Sequence, residues 1–175
     1  MSLGSLPTLT DIESERCRRN LAPFAKKVFG IVDPGAAYQH NWHIDYMCEY
    51  LEACYNREIR RLILNLPPRF IKSIIGSVAL PAWSLGKDPS EQILDGSYSE
   101  KLSLKHSVDC RMVIETPWYK NIFPEVILSS DQNEKSKFVT TRRGHRIAVS
   151  VGGTVTGEGG NIIIIDDPHN PKKAL

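Results

Sequence analysis

The chain has 175 residues, enough for one domain with a complete hydrophobic core and at most a small extension. Its composition, 41% hydrophobic and 24% charged, is that of a soluble globular protein and excludes a disordered or fibrous chain. The formal net charge of +2 excludes nucleic-acid binding through overall charge, so any such contact must come from local basic clusters.

The four cysteines show neither close pairing nor the matching histidines of a zinc site. We therefore expect reduced and mostly buried thiols, as in a cytoplasmic protein, at Cys17, Cys48, Cys54 and Cys110. The sequence shows no signal peptide, and no apolar run approaches the length needed to cross a bilayer. The first four residues, Met-Ser-Leu-Gly, are given no structural weight.

Two helical regions are predicted before residue 58. Residues 11–29 are expected to form a helix that Pro23 divides and Gly30 ends. Residues 40–56 place aromatic and apolar side chains at spacings of three and four, which predicts a helix with one apolar face. That face consists of Trp42, Tyr46, Met47, Tyr50, Leu51 and Cys54.

Trp42 has two interpretations. In the first, it is an anchor of the hydrophobic core. In the second, Trp42 contacts an adenine base together with Tyr38 and Gln39, because an aromatic ring stacks on a base and an amide binds its edge.

Residues 61–66 predict an apolar strand that ends at Pro67-Pro68, and Lys72-Ser73 then opens a helix that continues to about Leu85. An apolar strand, a tight loop and Lys-Ser at a helix N-terminus outline a phosphate-binding loop. The consensus glycines are replaced by Leu66 and Ile71. Ile71 adopts a positive φ only at a cost, so we expect the two prolines to fix the loop. An ordinary strand–turn–helix is the alternative.

The helix that begins at Lys72 is expected to bury Ile74, Ile75, Val78 and Leu85, and to kink or stop at Pro81. Residues 92–96 predict a second strand. The next helix is expected to start with a capping box formed by Ser97 and Glu100, and to end near Thr116. One face of this helix carries Leu104, Val108 and Met112. Strands alternating with helices predict parallel crossovers in an α/β domain.

Residues 117–134 are expected to be irregular, and residues 138–141 and 145–151 to form a hairpin. The glycine-rich residues 152–160 predict a loop. Ile162 to Ile165 then predict a strand that is buried on both faces at the centre of a parallel sheet.

Asp166 and Asp167 end this strand, at the sheet edge where α/β proteins bind ligands. Together with Lys72-Ser73, they are the residues that Mg²⁺-dependent phosphoryl transfer requires: one carboxylate holds the metal and the next orients the attacking water. A carboxylate that merely caps a turn enforced by Pro168 is the alternative. Considered jointly, the two segments favour a nucleoside-triphosphate site.

Several segments in order resemble the ATPase half of the large terminase subunit of tailed bacteriophages, from about residue 20 onward: LNLPPRFIKS, ALPAWSLGKDP, GSYSEKLSLKHSVDCRMVI, WYKNIFP and FVTTRRGHRIAVSVGGTVTGEGGNIIIIDDP. In that family the phosphate loop commonly reads Pro-Pro-Arg-x-x-Lys-Ser, without the consensus glycines. The resemblance implies an α/β P-loop NTPase fold of the ASCE-like type, with a mostly parallel central sheet flanked by helices. It divides the chain into a helical N-terminal segment, residues 1–58, and a partial ATPase core, residues 59–175.

The implied function is hydrolysis of ATP with Mg²⁺ in the bacterial host cytoplasm, powering the packaging of double-stranded DNA into a procapsid. The implied partners are DNA, the small terminase subunit and the portal protein. Full-length members would form a homo-oligomeric ring, with a monomer as the alternative for this chain. By resemblance, Ser73 and Asp166 hold Mg²⁺, while Asp167 and Arg69 are catalytic. The implied ATP contacts are Gln39, Trp42, Pro68, Arg69, Phe70, Ile71, Lys72 and Ser73.

The sequence departs from that family in three respects. Many members have glutamate where this chain has Asp167. Relatives often carry an arginine in the glycine-rich segment, a candidate for acting on a neighbouring subunit's ATP, where this chain has Glu158. The sequence also ends before the family's coupling motif and nuclease domain, so we expect no DNA cleavage.

The basic residues of the hairpin have two interpretations. They contact DNA phosphates, or they are simply solvated. These residues are Lys135, Lys137, Arg142, Arg143 and Arg146, and the three arginines are also unranked substitutes for the trans-acting arginine. Two other functions stay open from sequence: a helicase-like translocase, and a non-catalytic prophage remnant.

Overall fold

The structure is a computed structural model that describes residues 6–150 and 157–169. Its elements follow one another as α1 (Leu9–Arg19), α2 (Leu21–Val32), α3 (Trp42–Tyr55), a π-helix (Ile74–Ala79), α4 (Leu80–Lys87), β1 (Gln92–Ser97), α5 (Glu100–Glu115), α6 (Pro117–Ile122), β2 (Leu128–Asn133), β3 (Lys137–Thr140), β4 (His145–Ser150) and β5 (Ile162–Asp166). The prediction of an α/β fold class is confirmed.

The first predicted helix is divided, but at Asn20 and not at Pro23. Asn20 is extended, with φ −126°, and both ends α1 and precedes α2. Pro23 lies in the first turn of α2, where no N–H is needed for the helix, so the proline is tolerated there. Gly30 lies inside α2 and does not end it. Thr8 and Asp11 form a capping box that fixes the start of α1.

Helix α3 forms where predicted, and its buried face matches the expected one in part. Met47 and Leu51 enter the core as expected, together with Ile44 and Cys48. Trp42 is 73% exposed and Tyr46 is 54% exposed, so the interpretation of Trp42 as a core anchor is wrong. The aromatic residues share a helical stripe, but the neighbouring aliphatic stripe packs against α2.

Residues 61–66 are not a strand in the structure. The segment retains the alternation of a strand, since Leu62, Leu64 and Leu66 are half-buried against the core while Ile63 is 83% exposed. The strand prediction for this segment is therefore wrong. An apolar run reports burial and not backbone pairing, so it does not by itself distinguish a strand from an unpaired segment.

The helix after the loop continues past Pro81 to Lys87, but it changes type. Ile74–Ala79 is π-helical and Leu80–Lys87 is α-helical. In an α-helix the N–H of residue 81 would bond to the carbonyl of Ser77, and proline lacks that N–H. The Ser77 carbonyl instead accepts a hydrogen bond from Arg146 Nη2 at 3.2 Å. The predicted buried residues Ile75, Val78 and Leu85 are fully enclosed, while Ile74 is only half-buried.

The sheet has the order β2-β3-β4-β1-β5. Strand β1 pairs in parallel with both β4 and β5, whereas β3 pairs antiparallel with β2 and β4. The sheet is therefore mixed and not mostly parallel as expected. The predicted hairpin is confirmed, and it supplies the antiparallel half. Residue 151 and the first part of the predicted glycine-rich loop, 152–156, lie outside the described residues.

Strand β5 lies at the edge of this sheet and not at its centre. The π-helix and α5 pack on one face of the sheet, the face that carries Asp95, Arg146 and Asp166. Ile163 and Ile165 point to the other face and are 64% and 55% exposed. The prediction of a strand buried on both faces is therefore wrong. An unbroken apolar run fits an edge strand as well as a central one, because apolar content alone does not report what covers each face.

Helix α5 begins at Glu100 with Ser99 as its N-cap, and Ser97 ends β1, so the predicted capping box is wrong. Its buried face contains Ser103, His106, Ser107, Cys110, Val113 and Ile114, whereas Met112 is 39% exposed. Residues 117–134, expected to be irregular, contain α6 and β2. Thr116 caps α6 and Pro117 occupies its first position, a common helix start that the sequence prediction overlooked.

The hydrophobic core lies between the sheet and the helices. Two buried polar groups link helices through it: Trp83 Nε1 donates to the Cys17 carbonyl at 3.2 Å, and Tyr119 Oη donates to the Ala82 carbonyl at 2.7 Å. The cysteines are free, as predicted, and Cys17, Cys48 and Cys110 are buried. Among the described residues, no helix combines the length and the apolar character that crossing a membrane would require.

Candidate functional site

Lys72 lies between the two carboxylates at the C-terminal end of β5. Its Nζ is 2.5 Å from Asp167 Oδ1 and 3.5 Å from Asp166 Oδ1. Lys72 opens the helical run that follows the loop, and β5 runs parallel to β1, so the loop and the strand end meet at one edge of the sheet. The structure thus brings together Lys72 and the Asp pair, as the sequence predicted.

The two carboxylates differ in environment. Asp166 is buried, at 5% exposure, whereas about half of the Asp167 side chain, 53%, is exposed. Partial burial opposes the charge of Lys72, but the hydrogen bond to Asp167 and the negative charge of Asp166 outweigh it and raise the pKa of Lys72. Lys72 is therefore a cation at neutral pH, positioned at the edge of the sheet.

The backbone around this site is strained. Arg69, Ile71 and Asp167 have φ angles of 70°, 49° and 45°, in the left-handed region that favours glycine. The expectation that the prolines would spare Ile71 a positive φ is therefore wrong, because Ile71 adopts the backbone geometry of the glycine that it replaces. Such residues cost about 1–3 kcal/mol each and cluster at functional sites.

The strain at Ile71 predicts an unusual mutational pattern. We expect Ile71→Gly and Ile71→Val to have free energies of unfolding within about 1 kcal/mol of each other, since glycine loses half-buried apolar surface but removes the positive-φ cost. Half-buried Ile74, which lies in the helix, is the matched control. There we expect Gly to be clearly less stable than Val. Urea denaturation of the four variants gives the comparison, and a similar Gly penalty at both positions would contradict it.

The other predicted loop residues surround Lys72. Pro68, Arg69 and Phe70 are exposed in the turn, while Ser73 is half-buried and its hydroxyl makes no capping hydrogen bond. Within the described ranges, 6–150 and 157–169, no three His, Cys, Asp or Glu side chains form a metal-binding group. A nucleotide-bound Mg²⁺ needs only one or two protein ligands, because phosphates and waters supply the others.

Asp166 offers such a ligand. In the described part of the chain its Oδ2 is buried and accepts no hydrogen bond. A buried carboxylate whose lone pairs are not all used suits a hard cation that prefers oxygen, and Oδ1 is the oxygen on the side of Lys72. The Asp166 carboxylate therefore fits one ligand position of a Mg²⁺ ion, and the role of the Ser73 hydroxyl stays a prediction.

A row of aromatic rings leads from the loop onto α3. His43 packs edge-on against Phe70 with ring centroids 5.0 Å apart, and Trp42 packs against His43 at 6.2 Å. Tyr46 and Tyr50 continue the row along the helix. The exposed Trp42 ring is thus separated from Phe70 of the loop by one side chain, that of His43, and its contact with a base stays a prediction.

The other two candidates for base contact are placed differently. Tyr38 is half-buried and packs against Phe29 at 5.4 Å, and this burial raises its pKa to about 12. Its ring belongs to the α2 surface and is not free to stack on a ligand. Gln39 is exposed.

A buried ion pair lies beneath the site. Arg146 Nη2 is 3.1 Å from Asp95 Oδ2, and both side chains are completely enclosed. Arg146 also binds the Ser77 carbonyl of the π-helix, so one side chain connects β4, β1 and the helix that begins at Lys72. Arg146 was a candidate for DNA contact and for the trans-acting arginine, and its burial makes both roles wrong.

Two of the remaining hairpin cations form ion pairs. Lys137 Nζ lies 2.8 Å from Glu158 Oε1, and Arg142 Nη2 lies 3.4 Å from Glu125 Oε2. Lys135 and Arg143 are exposed, and Arg143 has a φ of 71° in the turn between β3 and β4. Solvent reaches these four cations, so contact with DNA stays a prediction for them.

Two features near the site were not predicted from the sequence. One is the pairing of Arg146 with Asp95, and the other is His106. His106 Nδ1 lies 4.0 Å from Asp166 Oδ2, and both side chains are almost fully buried. Burial lowers the pKa of His106, so its imidazole is neutral. The available signal was polar residues at inward-facing positions of otherwise apolar elements, such as Asp95 in the strand QILDG.

Comparison of the sequence with protein-family models gives no match, and comparison with curated proteins gives no match either.

Proposed function

We propose that this protein binds Mg²⁺-ATP at the Lys72 loop and hydrolyses it. Its motor would be similar to the ATPase half of the large terminase subunit, which packages double-stranded DNA into a procapsid. The observation that carries the proposal is the position of Lys72, whose ammonium group lies within 3.5 Å of both strand-ending carboxylates. This position supports the proposal, because phosphoryl transfer needs a cation for the phosphates and a carboxylate for Mg²⁺ at the same place.

The proposed roles follow the local environments. Lys72 leaves the carboxylates to bind the phosphates, and Asp166 with Ser73 would hold Mg²⁺, which would supply neutralisation of the phosphate charge. Asp167, at the exposed side, orients the attacking water. Arg69 is exposed beside Lys72 and stabilises charge that develops on the γ-phosphate.

The strained backbone supports the same location. Arg69 and Ile71, which precede Lys72, and Asp167, which follows Asp166, all have left-handed φ angles. Strain of this kind persists where surrounding structure enforces a particular geometry, and it is concentrated at binding sites. The row of rings from Phe70 to Trp42 offers an aromatic surface next to the loop, on which the base of the nucleotide can stack.

The proposed partners are DNA, the small terminase subunit and the portal protein.

The deciding experiment is calorimetric titration of the protein with ATP and ADP in the presence of Mg²⁺. We expect the unmodified protein to bind, and Lys72→Ala to weaken binding by about 10–100-fold, because a hydrogen bond to a charged group contributes about 1.5–3 kcal/mol. Lys120→Ala is the matched control, since Lys120 is an exposed lysine on α6. If millimolar nucleotide gives no heat of binding with the unmodified protein, the proposed function is wrong.

A further inference from the structure

His106 and Asp166 present unpaired polar atoms to each other. His106 projects from α5 and is 4% exposed, and Asp166 ends β5 and is 5% exposed. Within the described residues, His106 Nδ1 and Asp166 Oδ2 are both buried without a hydrogen-bond partner. They lie 4.0 Å apart, about 1 Å beyond hydrogen-bond distance. Since buried polar atoms are nearly always paired, this arrangement requires an explanation.

The explanation begins with the cation that now neutralises Asp166. In the described part of the chain, Lys72 and His106 are the two basic side chains within 4.0 Å of the Asp166 carboxylate. When Lys72 binds phosphate, Asp166 loses the nearer of the two. A buried carboxylate without a partner is costly, so another donor must approach it. Arg146 binds Asp95 and the Ser77 carbonyl through Nη2, and although its Nε and Nη1 are buried without a partner, they lie more than 4.0 Å from the Asp166 carboxylate.

We propose that His106 is a positioning residue for Asp166, donating a hydrogen bond from Nδ1–H to Oδ2 when Lys72 withdraws. This bond leaves Oδ1 free on the side that Lys72 occupies, where the metal and phosphates are proposed to bind. The inference rests on the proposed function. Donors that orient a ligating carboxylate in this way typically change metal affinity by about 10–100-fold when removed.

The choice of ring nitrogen makes this role specific. In a histidine, the hydrogen bond that one ring nitrogen makes decides which nitrogen carries the proton. Donation to Asp166 requires the Nδ1–H tautomer. A histidine that only fills space in the core has no such requirement, so the tautomer separates a positioning role from a structural one.

The first measurement is the ¹⁵N spectrum of His106 in the Lys72→Ala variant without nucleotide. This variant removes the competing cation, so the expected result is the Nδ1–H tautomer. Loss of the signal in His106→Asn assigns it among the five histidines. Observation of the Nε2–H tautomer overturns the proposed bond, and it does so even if the protein binds no ATP.

The second measurement is the gain in ATP affinity that Mg²⁺ gives over EDTA. In His106→Leu we expect this gain to fall by about 10–100-fold. His106→Asn should recover most of the loss, because the Asn amide N–H₂ takes the place of Nδ1–H. Equal gains in the Leu variant and the unmodified protein overturn the positioning role. Absence of ATP binding by the unmodified protein overturns the proposed function, while the tautomer still decides on the His106–Asp166 bond.

Discussion

Replacement of Arg146 with methionine is expected to lower the free energy of unfolding by about 3–5 kcal/mol at pH 7, the usual cost of removing one partner of a buried ion pair. Arg146 is fully enclosed, and its loss leaves the Asp95 carboxylate without a counter-charge and the Ser77 carbonyl without a donor. Urea denaturation at pH 7 measures the change. The double variant Asp95→Asn, Arg146→Met is the control, because it also removes the stranded charge, and we expect it to recover at least half of the loss.

The cost of Arg146→Met should also depend on pH. Burial raises the pKa of Asp95 from 3.8 to about 6, although the charge of Arg146 opposes this. The folded protein therefore holds this proton more tightly than the unfolded chain. The contribution of Asp95 to stability is complete below about pH 4 and is lost as the pH rises to about 6. At pH 5 the acid is mostly protonated and needs no cation, so Arg146→Met should cost less there than at pH 7. An equal cost at both values would contradict a buried carboxylate with a raised pKa.

Asp166→Asn and Asp167→Asn are expected to have separate effects on nucleotide binding and turnover. Asp166 is the buried carboxylate proposed to hold Mg²⁺, so Asp166→Asn should abolish the increase in ATP affinity that Mg²⁺ gives over EDTA. Asp167 is half-exposed and is proposed to orient water. Asp167→Asn should therefore retain Mg²⁺-dependent binding and reduce the rate of phosphate release by about 10²–10⁴-fold.

The two substitutions serve as controls for each other, since both remove one carboxylate charge near Lys72. Titrations with Mg²⁺ and with EDTA, together with a phosphate-release assay, give the comparison. Asp167→Asn should bind ATP at least as tightly as the unmodified protein, because it releases Lys72 from its 2.5 Å contact. The same loss of binding in both variants would contradict the division of roles.

Local patterns in the sequence predicted several elements correctly. The periodicity of α3, the strand β1 and the β3–β4 hairpin each follow from residues that lie close together in sequence. What surrounds an element was not predictable in this way. Ile162 to Ile165 have the composition of a central strand but form an edge strand, and Trp42 and Tyr46 of α3 are exposed. These outcomes depend on which distant segments pack on each face, which a periodicity does not encode.

The site was predicted in part. Lys72 with Asp166 and Asp167 followed from a helix start and a strand end that α/β topology brings together. The positive φ of Ile71 could not be inferred, because the preference of isoleucine is against it and only the surrounding fold enforces it. Arg146 appeared as one of several surface cations. Its burial depends on Asp95 and on the Ser77 carbonyl that Pro81 leaves free, two partners 51 and 69 positions away in the sequence of 175 residues.

The helix that begins at Lys72 is held at two points, its start and Ser77, and the ion pairs at these points differ in their sensitivity to dissolved ions. At its start, Lys72 meets Asp167, whose side chain is 53% exposed. Further along, Arg146 and Asp95 are completely shielded where Arg146 holds the Ser77 carbonyl. Added salt screens charges that contact water and has much less effect on enclosed ones. Rising ionic strength should therefore release the lysine end from its carboxylate while the body of the helix stays in place on the sheet.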